Sequence, residues 1–229
     1  MNTNKKTARI AGVLYLLVAI CAFFAVFVRS KLIVSGDAAI TASNIMASEL
    51  LFRFGFVSDL IMTTCWILLA FALYVLFKPV NKNHALLMVS FVLVGSAITC
   101  INMLNQFAAL LVLNGANYLT VLGTDQLQAQ AMLFLKLHEH GIIIAEIFFG
   151  LWLFPLGYLV FKSGYFPKVL GRILSILLII AGLGYMIDFL IFFLFPNFDV
   201  AITQFTFWGE VLLLLWLLIK GVKIPDMKS

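Results

Sequence analysis

Apolar residues run in long blocks along this chain, broken by short polar intervals. The blocks lie near residues 10–28, 55–77, 85–112, 138–161, 169–195 and 205–219. A helix needs roughly 20 predominantly apolar residues to cross the hydrocarbon of a bilayer. No water is present there to take up backbone hydrogen bonds, so a spanning block must be helical or part of a closed barrel. Blocks of this length predict an all-α polytopic membrane bundle of six transmembrane helices, built as a single domain over residues 1–229. The sixth block is short and borrows Val200 to Thr203. The fourth helix is expected to begin near Gln126 and to enter the membrane around His138. Residues 126–161 would extend roughly 54 Å, more than the hydrocarbon requires. Pro155 lies inside this helix and should bend it or expose a carbonyl. Gly164, Tyr165 and Pro167 mark the next turn, and Pro196 with Asn197 ends the fifth span.

Two shorter segments need separate readings. Ser35-Gly36-Asp37-Ala38-Ala39 reads as a turn feeding a helix, with Asp37 as N-cap. That helix would pass through Thr41, Ile45, Ala47 and Leu50. It is only partly apolar, which suits a short interfacial helix after the first span; a re-entrant segment is the alternative. Glu49 and Arg53, four apart, could pair on its surface. At the N-terminus, Lys5, Lys6 and Arg9 precede Ile10 to Val28 and imitate a signal peptide. The run is long enough to span and further spans follow, so Arg9 reads as an anchor.

Composition narrows the class. The chain is 64% hydrophobic and 11% charged, against about 25% charged residues in soluble domains. Its 23 phenylalanines suit a lipid-facing surface. No polar region is long enough to fold separately in water. The net charge of +5 comes from basic residues flanking the spans, so no nucleic-acid partner is expected. Cys21, Cys65 and Cys100 stand singly in apolar blocks, without a C-x-x-C pair, and read as small buried residues.

The charged loops set an orientation. Lys5, Lys6, Arg9, Lys78, Lys82, Lys162, Lys168, Arg172, Lys220, Lys223 and Lys228 fall on one side, with Asp226 as the only acid there. Arg29, Lys31, Arg53 and Lys136 fall on the other, with nine acidic residues. The positive-inside rule places both termini in the cytoplasm, and an even number of spans requires both on one side.

The remaining polar residues are unevenly placed. Arg53, Asp59, Asn102, Gln106, His138, Glu139, Glu146, Asp188 and Glu210 lie in or beside the spans. With alternating helix directions, all fall towards the outer side. Asn102 sits about 26 Å along its span, and Asp188 roughly 29 Å along the fifth. Thr99, Asn102 and Gln106 share one helix face, as do Glu139 and Glu146. Charged groups in hydrocarbon are costly and usually face a bundle interior, a cavity or each other. The pattern predicts an outward-facing polar pocket lined by these nine residues.

Several chemistries could use such a pocket. Leu137-His138-Glu139-His140-Gly141 lacks the H-E-x-x-H spacing, and His138 and His140 lie about 200° apart on a helix. His138, Glu139 and Glu146 are candidate metal ligands, because zinc accepts nitrogen and oxygen donors. A hydrogen-bond network that braces the helices is the competing use. Arg53 could snorkel to headgroups or bind an anion, with Arg29 assisting. Asp59 has a short side chain and is expected in a pocket or structural contact. Trp66, Trp152, Trp208, Trp216 and Tyr158 read as packing or belt residues. Gly182 and Gly184 should allow close helix approach.

Gly36-Asp37-Ala38-Ala39, Ala47-Ser48-Glu49-Leu50-Leu51-Phe52-Arg53 and Ser58-Asp59-Leu60 carry a resemblance. So do Leu137-His138-Glu139-His140-Gly141, Glu146-Ile147-Phe148-Phe149-Gly150-Leu151-Trp152 and Pro155-Leu156-Gly157. Together they resemble an uncharacterised bacterial membrane family, domain of unknown function 4386, over nearly the whole chain. The resemblance implies a small multi-span protein of the bacterial inner membrane and supplies no reaction, cofactor or catalytic residue. Three function classes stay open. One is a module binding a small ligand or lipid, or bracing a membrane assembly. Another is a metal-dependent or acid–base enzyme using His138 and nearby carboxylates, although no nucleophile motif accompanies them. The third is a small transporter subunit, for which the apolar inner half is unfavourable. Membrane lipid is the expected partner, with a small ligand or a second copy of the chain as further possibilities.

Overall fold

Each polar break in the sequence ends one helix and starts the next. A computed structural model describes residues 3–115, 121–195, 198 and 200–222. Its helices are α1 (Thr3–Leu32), α2 (Ala38–Ala47), α3 (Glu49–Phe77), α4 (Lys82–Leu113), α5 (Thr124–Leu151), α6 (Leu153–Ser163), α7 (Lys168–Leu194), α8 (Thr203–Thr206) and α9 (Trp208–Ile219). Five segments are long and apolar enough to cross a membrane: Asn4–Leu32, Glu49–Phe77, Lys82–Leu113, Thr124–Ser163 and Lys168–Leu194. Thr203–Ile219 is a shorter apolar helix. The protein is thus an all-α, multi-span membrane bundle.

Local chemistry explains the helix boundaries. Arg29 and Lys31 occupy the last turn of α1, where cations favour the helix dipole. Gly36, at φ +80°, makes the following turn in a conformation that costs glycine little. Asp37 then caps α2 as expected, its Oδ1 accepting from the Ile40 N–H at 2.8 Å. The helix ends earlier than the apolar pattern suggests. The Ser48 N–H turns back to the carbonyls of Asn44 and Ile45, and α3 starts at Glu49. Glu49 and Arg53 do pair, but on the first turns of α3.

The fourth apolar block is interrupted at Trp152, between α5 and α6. A regular helix there would need a Pro155 N–H for the Leu151 carbonyl, and proline has none. Gly164, at φ +63°, closes α6, and Pro167 precedes α7. α7 ends at Leu194; Pro196 and Asn197, expected to end it, lie outside the described residues. So do Asp199, Lys223, Asp226 and Lys228 from the charge pattern.

Two compact units make up the chain. The first comprises Met1–Leu17, Cys65–Ser96 and Ile143–Ser229. Its interior includes Leu69, Leu73, Met88, Trp152, Leu156, Leu178 and Leu217. Glycines bring its helices into backbone contact. A Cβ on Gly182 would fall 2.9 Å from the Gly150 carbonyl oxygen, and one on Gly209 would fall 2.6 Å from the Leu177 carbonyl carbon. Close packing through small residues is a common basis of helix association in lipid. Gly184 makes similar room, as its Cβ would meet the Thr206 hydroxyl at 2.2 Å.

The second unit comprises Val18–Thr64 and Ala97–Ile142. Its core holds Val28, Leu32, Ile45, Phe52, Ala109, Leu110, Val112, Ala131 and Leu135. Hydrogen bonds tie α2 to the end of α1. The Thr41 hydroxyl accepts from the Val34 N–H at 2.9 Å, and the Asn44 amide donates to the Leu32 carbonyl at 3.3 Å.

Candidate functional site

Six of the nine expected pocket residues belong to the second unit: Arg53, Asp59, Asn102, Gln106, His138 and Glu139. Four of them are buried there. Gly55, Ser58 and Asp59 share a face of α3 that packs on α1. A Cβ on Gly55 would lie 2.9 Å from Val28 Cγ1, and the Ser58 hydroxyl donates to the Cys21 carbonyl at 3.0 Å. This closeness brings the Asp59 carboxylate onto the Arg29 guanidinium in a short ion pair. Asp59 is 2% exposed, so removing Arg29 would leave an uncompensated carboxylate in a dry place. The Thr63 hydroxyl donates to the Asp59 backbone carbonyl at 2.8 Å.

On α4, Asn102 reaches across to α5. Its Nδ2 donates to the His138 carbonyl at 2.8 Å and lies 3.3 Å from His138 Nδ1. Its Oδ1 accepts from Asn105 Nδ2 at 3.0 Å. The contact depends on Gly141, because a Cβ there would stand 2.1 Å from Asn102 Oδ1. His138 Nδ1 also lies 3.4 Å from the Asn102 carbonyl oxygen, so either tautomer finds a partner on that side. Arg29 is close enough for its charge to act on His138.

Two buried groups in this unit are not satisfied. Gln106 is 0% exposed, and neither its Oε1 nor its Nε2 has a hydrogen-bond partner. His138 is 2% exposed, and its Nε2 has none. A buried polar group left unpaired costs on the order of 1–3 kcal/mol and calls for an explanation.

Arg53 and Glu139 do not join this group. The Arg53 Nε donates to Glu49 at 2.7 Å, and the Lys136 Nζ donates to Glu139 at 2.7 Å. Both are surface ion pairs, worth little by themselves. The metal triad of His138, Glu139 and Glu146 is therefore not assembled. Neighbours on a helix project about 100° apart, so His138 turns into the unit while Glu139 turns out. Glu146 belongs to the first unit. Among the described residues, no three His, Cys, Asp or Glu side chains gather to hold a metal ion.

The first unit holds Glu146, Asp188 and Glu210. Glu210 accepts from the hydroxyls of Tyr15 at 2.6 Å and Tyr185 at 3.3 Å. Asp188 accepts from the backbone N–H groups of Ile202 at 2.6 Å and Thr203 at 2.8 Å, and from the Thr203 hydroxyl. It thereby caps the start of α8 from a neighbouring helix. Glu146 accepts no hydrogen bond among the described residues. Aromatic contacts run from Tyr15 to Trp152 (6.0 Å between centroids), Trp66 (5.9 Å), Phe149 (4.7 Å) and Tyr185 (6.4 Å). Trp66 and Trp152 thus serve as packing residues.

The residue pattern left some partners unmarked. Tyr15 carries no signal in an apolar span, since its ring fits the pattern and only its hydroxyl reaches Glu210. Gly141 looks like any membrane glycine until Asn102 is seen beside it. Arg29 was expected to assist Arg53 with a headgroup or an anion, and Asp59 to make a pocket or structural contact; their pairing with each other carried no signal in the sequence.

The profile of the family described as Domain of unknown function (DUF4386) matches residues 10–221. A curated relative, an uncharacterized protein of Archaeoglobus fulgidus, is 38% identical over 165 residues, covering 70% of this chain and 79% of its own length. That relative is archaeal, so the family resemblance carries no restriction to bacteria. No solved structure matches the chain. A match across nearly all of the sequence, joined to a multi-span helical bundle, makes this protein a member of the DUF4386 family of membrane proteins.

Proposed function

We propose that this protein is a membrane-embedded binding module for a small polar ligand, with its site in the second unit around Gln106, His138 and Asn102. The observation that carries this reading is Gln106, wholly buried with an unused donor and an unused acceptor on one carboxamide. A ligand bearing both a donor and an acceptor would satisfy it, and could also meet His138 Nε2 in either tautomer. Arg29 is already matched by Asp59, so the cluster carries no spare charge to hold an ion. That balance favours an uncharged ligand, such as an amide, an alcohol or a protonated acid.

Gln106→Met tests the reading, since methionine keeps the size and removes both hydrogen-bonding functions. Small molecules released from the purified wild type and from Gln106→Met would be compared by mass spectrometry. The proposal expects one species, near one equivalent per chain, that the variant lacks. Identical released molecules, with a variant of raised thermal stability, would show that Gln106 only burdens the core.

A second reading rests on the first unit, which holds Glu146, Asp188 and Glu210, none of them in an ion pair among the described residues. That arrangement supports uptake of a proton or a small cation, as in a transporter subunit. Glu146→Gln should preserve insertion and most of the fold while reducing proton uptake by the protein in vesicles. Unchanged uptake with an altered melting temperature alone would reduce Glu146 to a structural part. For topology we propose six crossings, with Thr203–Ile219 as the sixth and both termini cytoplasmic. The five long spans, the sixth apolar helix and the basic-residue asymmetry support it.

A further inference from the structure

The first unit also carries an open apolar groove, of about 200 Å³, away from its carboxylates. Leu170 and Leu174 of α7 form one wall; Leu212, Leu215, Trp216 and Ile219 of α9 form the other, with Lys220 at the end. From Leu212 to Lys220 the groove follows α9 for about 12 Å. The two helices meet backbone to backbone at Gly209 and Leu177. The groove lies beyond that contact, where large side chains stand between them.

Its charged end is one-sided. Lys220 is exposed and forms no ion pair among the described residues. Lys168 and Arg172 are exposed on the first turns of α7. Lys5 is exposed and lies beside Gly221, whose Cβ would be 3.3 Å from Lys5 Cγ. The acid of α9 is Glu210, about 15 Å back along the helix. An apolar trough ending in cations that form no ion pair among the described residues matches a molecule with a hydrocarbon tail and a negative head. A second copy of the chain fits less well, since a symmetric contact would set these cations against their own kind.

We propose that this groove is a specific site for an anionic membrane lipid, one hydrocarbon chain lying along α9 and the headgroup against Lys220. The site is independent of the Gln106 cluster, and its test reads a different residue. Trp216 lines the groove and serves as the reporter. The full chain would be reconstituted in phosphatidylcholine vesicles containing a minor share of chain-brominated phosphatidylglycerol or chain-brominated phosphatidylcholine. Bromine quenches a tryptophan it touches, and subtraction of a Trp216→Phe variant isolates this residue from the other three.

Brominated phosphatidylglycerol should quench Trp216 at a several-fold lower share of the membrane. Lys220→Gln should reduce that preference by roughly five-fold, the effect of about 1 kcal/mol per basic residue at an anionic surface. Lys162→Gln, an exposed lysine outside the groove, should leave it in place. Equal quenching by the two lipids overturns the proposal. Equal loss in Lys162→Gln and Lys220→Gln also overturns it, because the attraction would then belong to the whole basic surface. So does quenching by neither lipid together with cross-linking between copies through the groove, which would make it a protein contact.

Discussion

At the scale of single residues, the polar cluster of the second unit rests on one missing methyl group. Gly141→Ala would put a Cβ 2.1 Å from Asn102 Oδ1 and push the carboxamide off the His138 carbonyl. The expected loss is about 1–3 kcal/mol, visible as a lower melting temperature in detergent. Asn102→Ala should cost a similar amount, and the double variant little more than either single one. Full additivity would mean that the two residues are not coupled. Tyr165, in the turn before α7, offers a pH test. It stacks on Phe77 at 5.8 Å, and its hydroxyl donates to the Leu76 carbonyl at 3.2 Å. Burial pushes its phenol above the ordinary value of 10.0. The unfolded chain therefore ionises first as pH rises, so this contribution is complete below pH 10.0 and is lost through the raised value. Tyr165→Phe should cost about 1 kcal/mol at neutral pH and flatten the alkaline limb of the stability curve. An unchanged limb would assign alkaline loss to other groups. Residue pairings were the least legible part of the sequence. Helical rotation separates His138 from Glu139 and can be read directly, but Arg29 and Asp59 are 30 positions apart and meet only through packing.

At the scale of helices, the apolar pattern located the five long spans, because hydrocarbon enforces helix over every long apolar block. Boundaries set by polar details were less legible. Asp37 could be read as a cap from its place before a helix-forming run. The break at Ser48 could not, since it depends on one N–H turning back to Asn44 and Ile45. Contacts through glycine give the sharpest test at this level. Gly209→Val would place a branched side chain 2.6 Å from the Leu177 carbonyl carbon, a backbone atom that cannot rotate away. α7 and α9 should separate locally, costing on the order of 2 kcal/mol or more. Reduced protection of α9 from protease or hydrogen exchange would register it; unchanged protection would show that the bundle adjusts around the new side chain.

For the whole molecule, crossing number and orientation are directly measurable. With Cys21, Cys65 and Cys100 replaced, single cysteines at Asn81 and Gly123 should label with an impermeant maleimide from opposite sides. A cysteine at Ser229, outside the described residues, should label from the same side as Asn81. Labelling of Ser229 and Gly123 from one side would leave an odd number of crossings between Asn81 and the end of the chain. The one-sided depth expected for the polar residues follows from alternating spans, and the labelling experiment tests the alternation it depends on. Their grouping was not legible. Arg53 and Glu139 found nearby surface partners, and the rest divided between two units according to where each lies along its helix and along the chain.

The ion pair between Arg29 and Asp59 also bears on the order of assembly during synthesis. Arg29 emerges from the ribosome 30 residues before its counter-charge. A lone arginine near the end of α1 disfavours deep insertion by up to roughly 3 kcal/mol at the membrane centre. The first helix should therefore sit shallow until α3 arrives and carries Asp59 in beside it. A nascent chain stalled with α1 released but α3 still inside the ribosome would then expose Arg29 to a water-borne reagent, whereas one stalled after α3 has left the ribosome would shield it. Equal exposure in the two chains would mean that α1 settles alone.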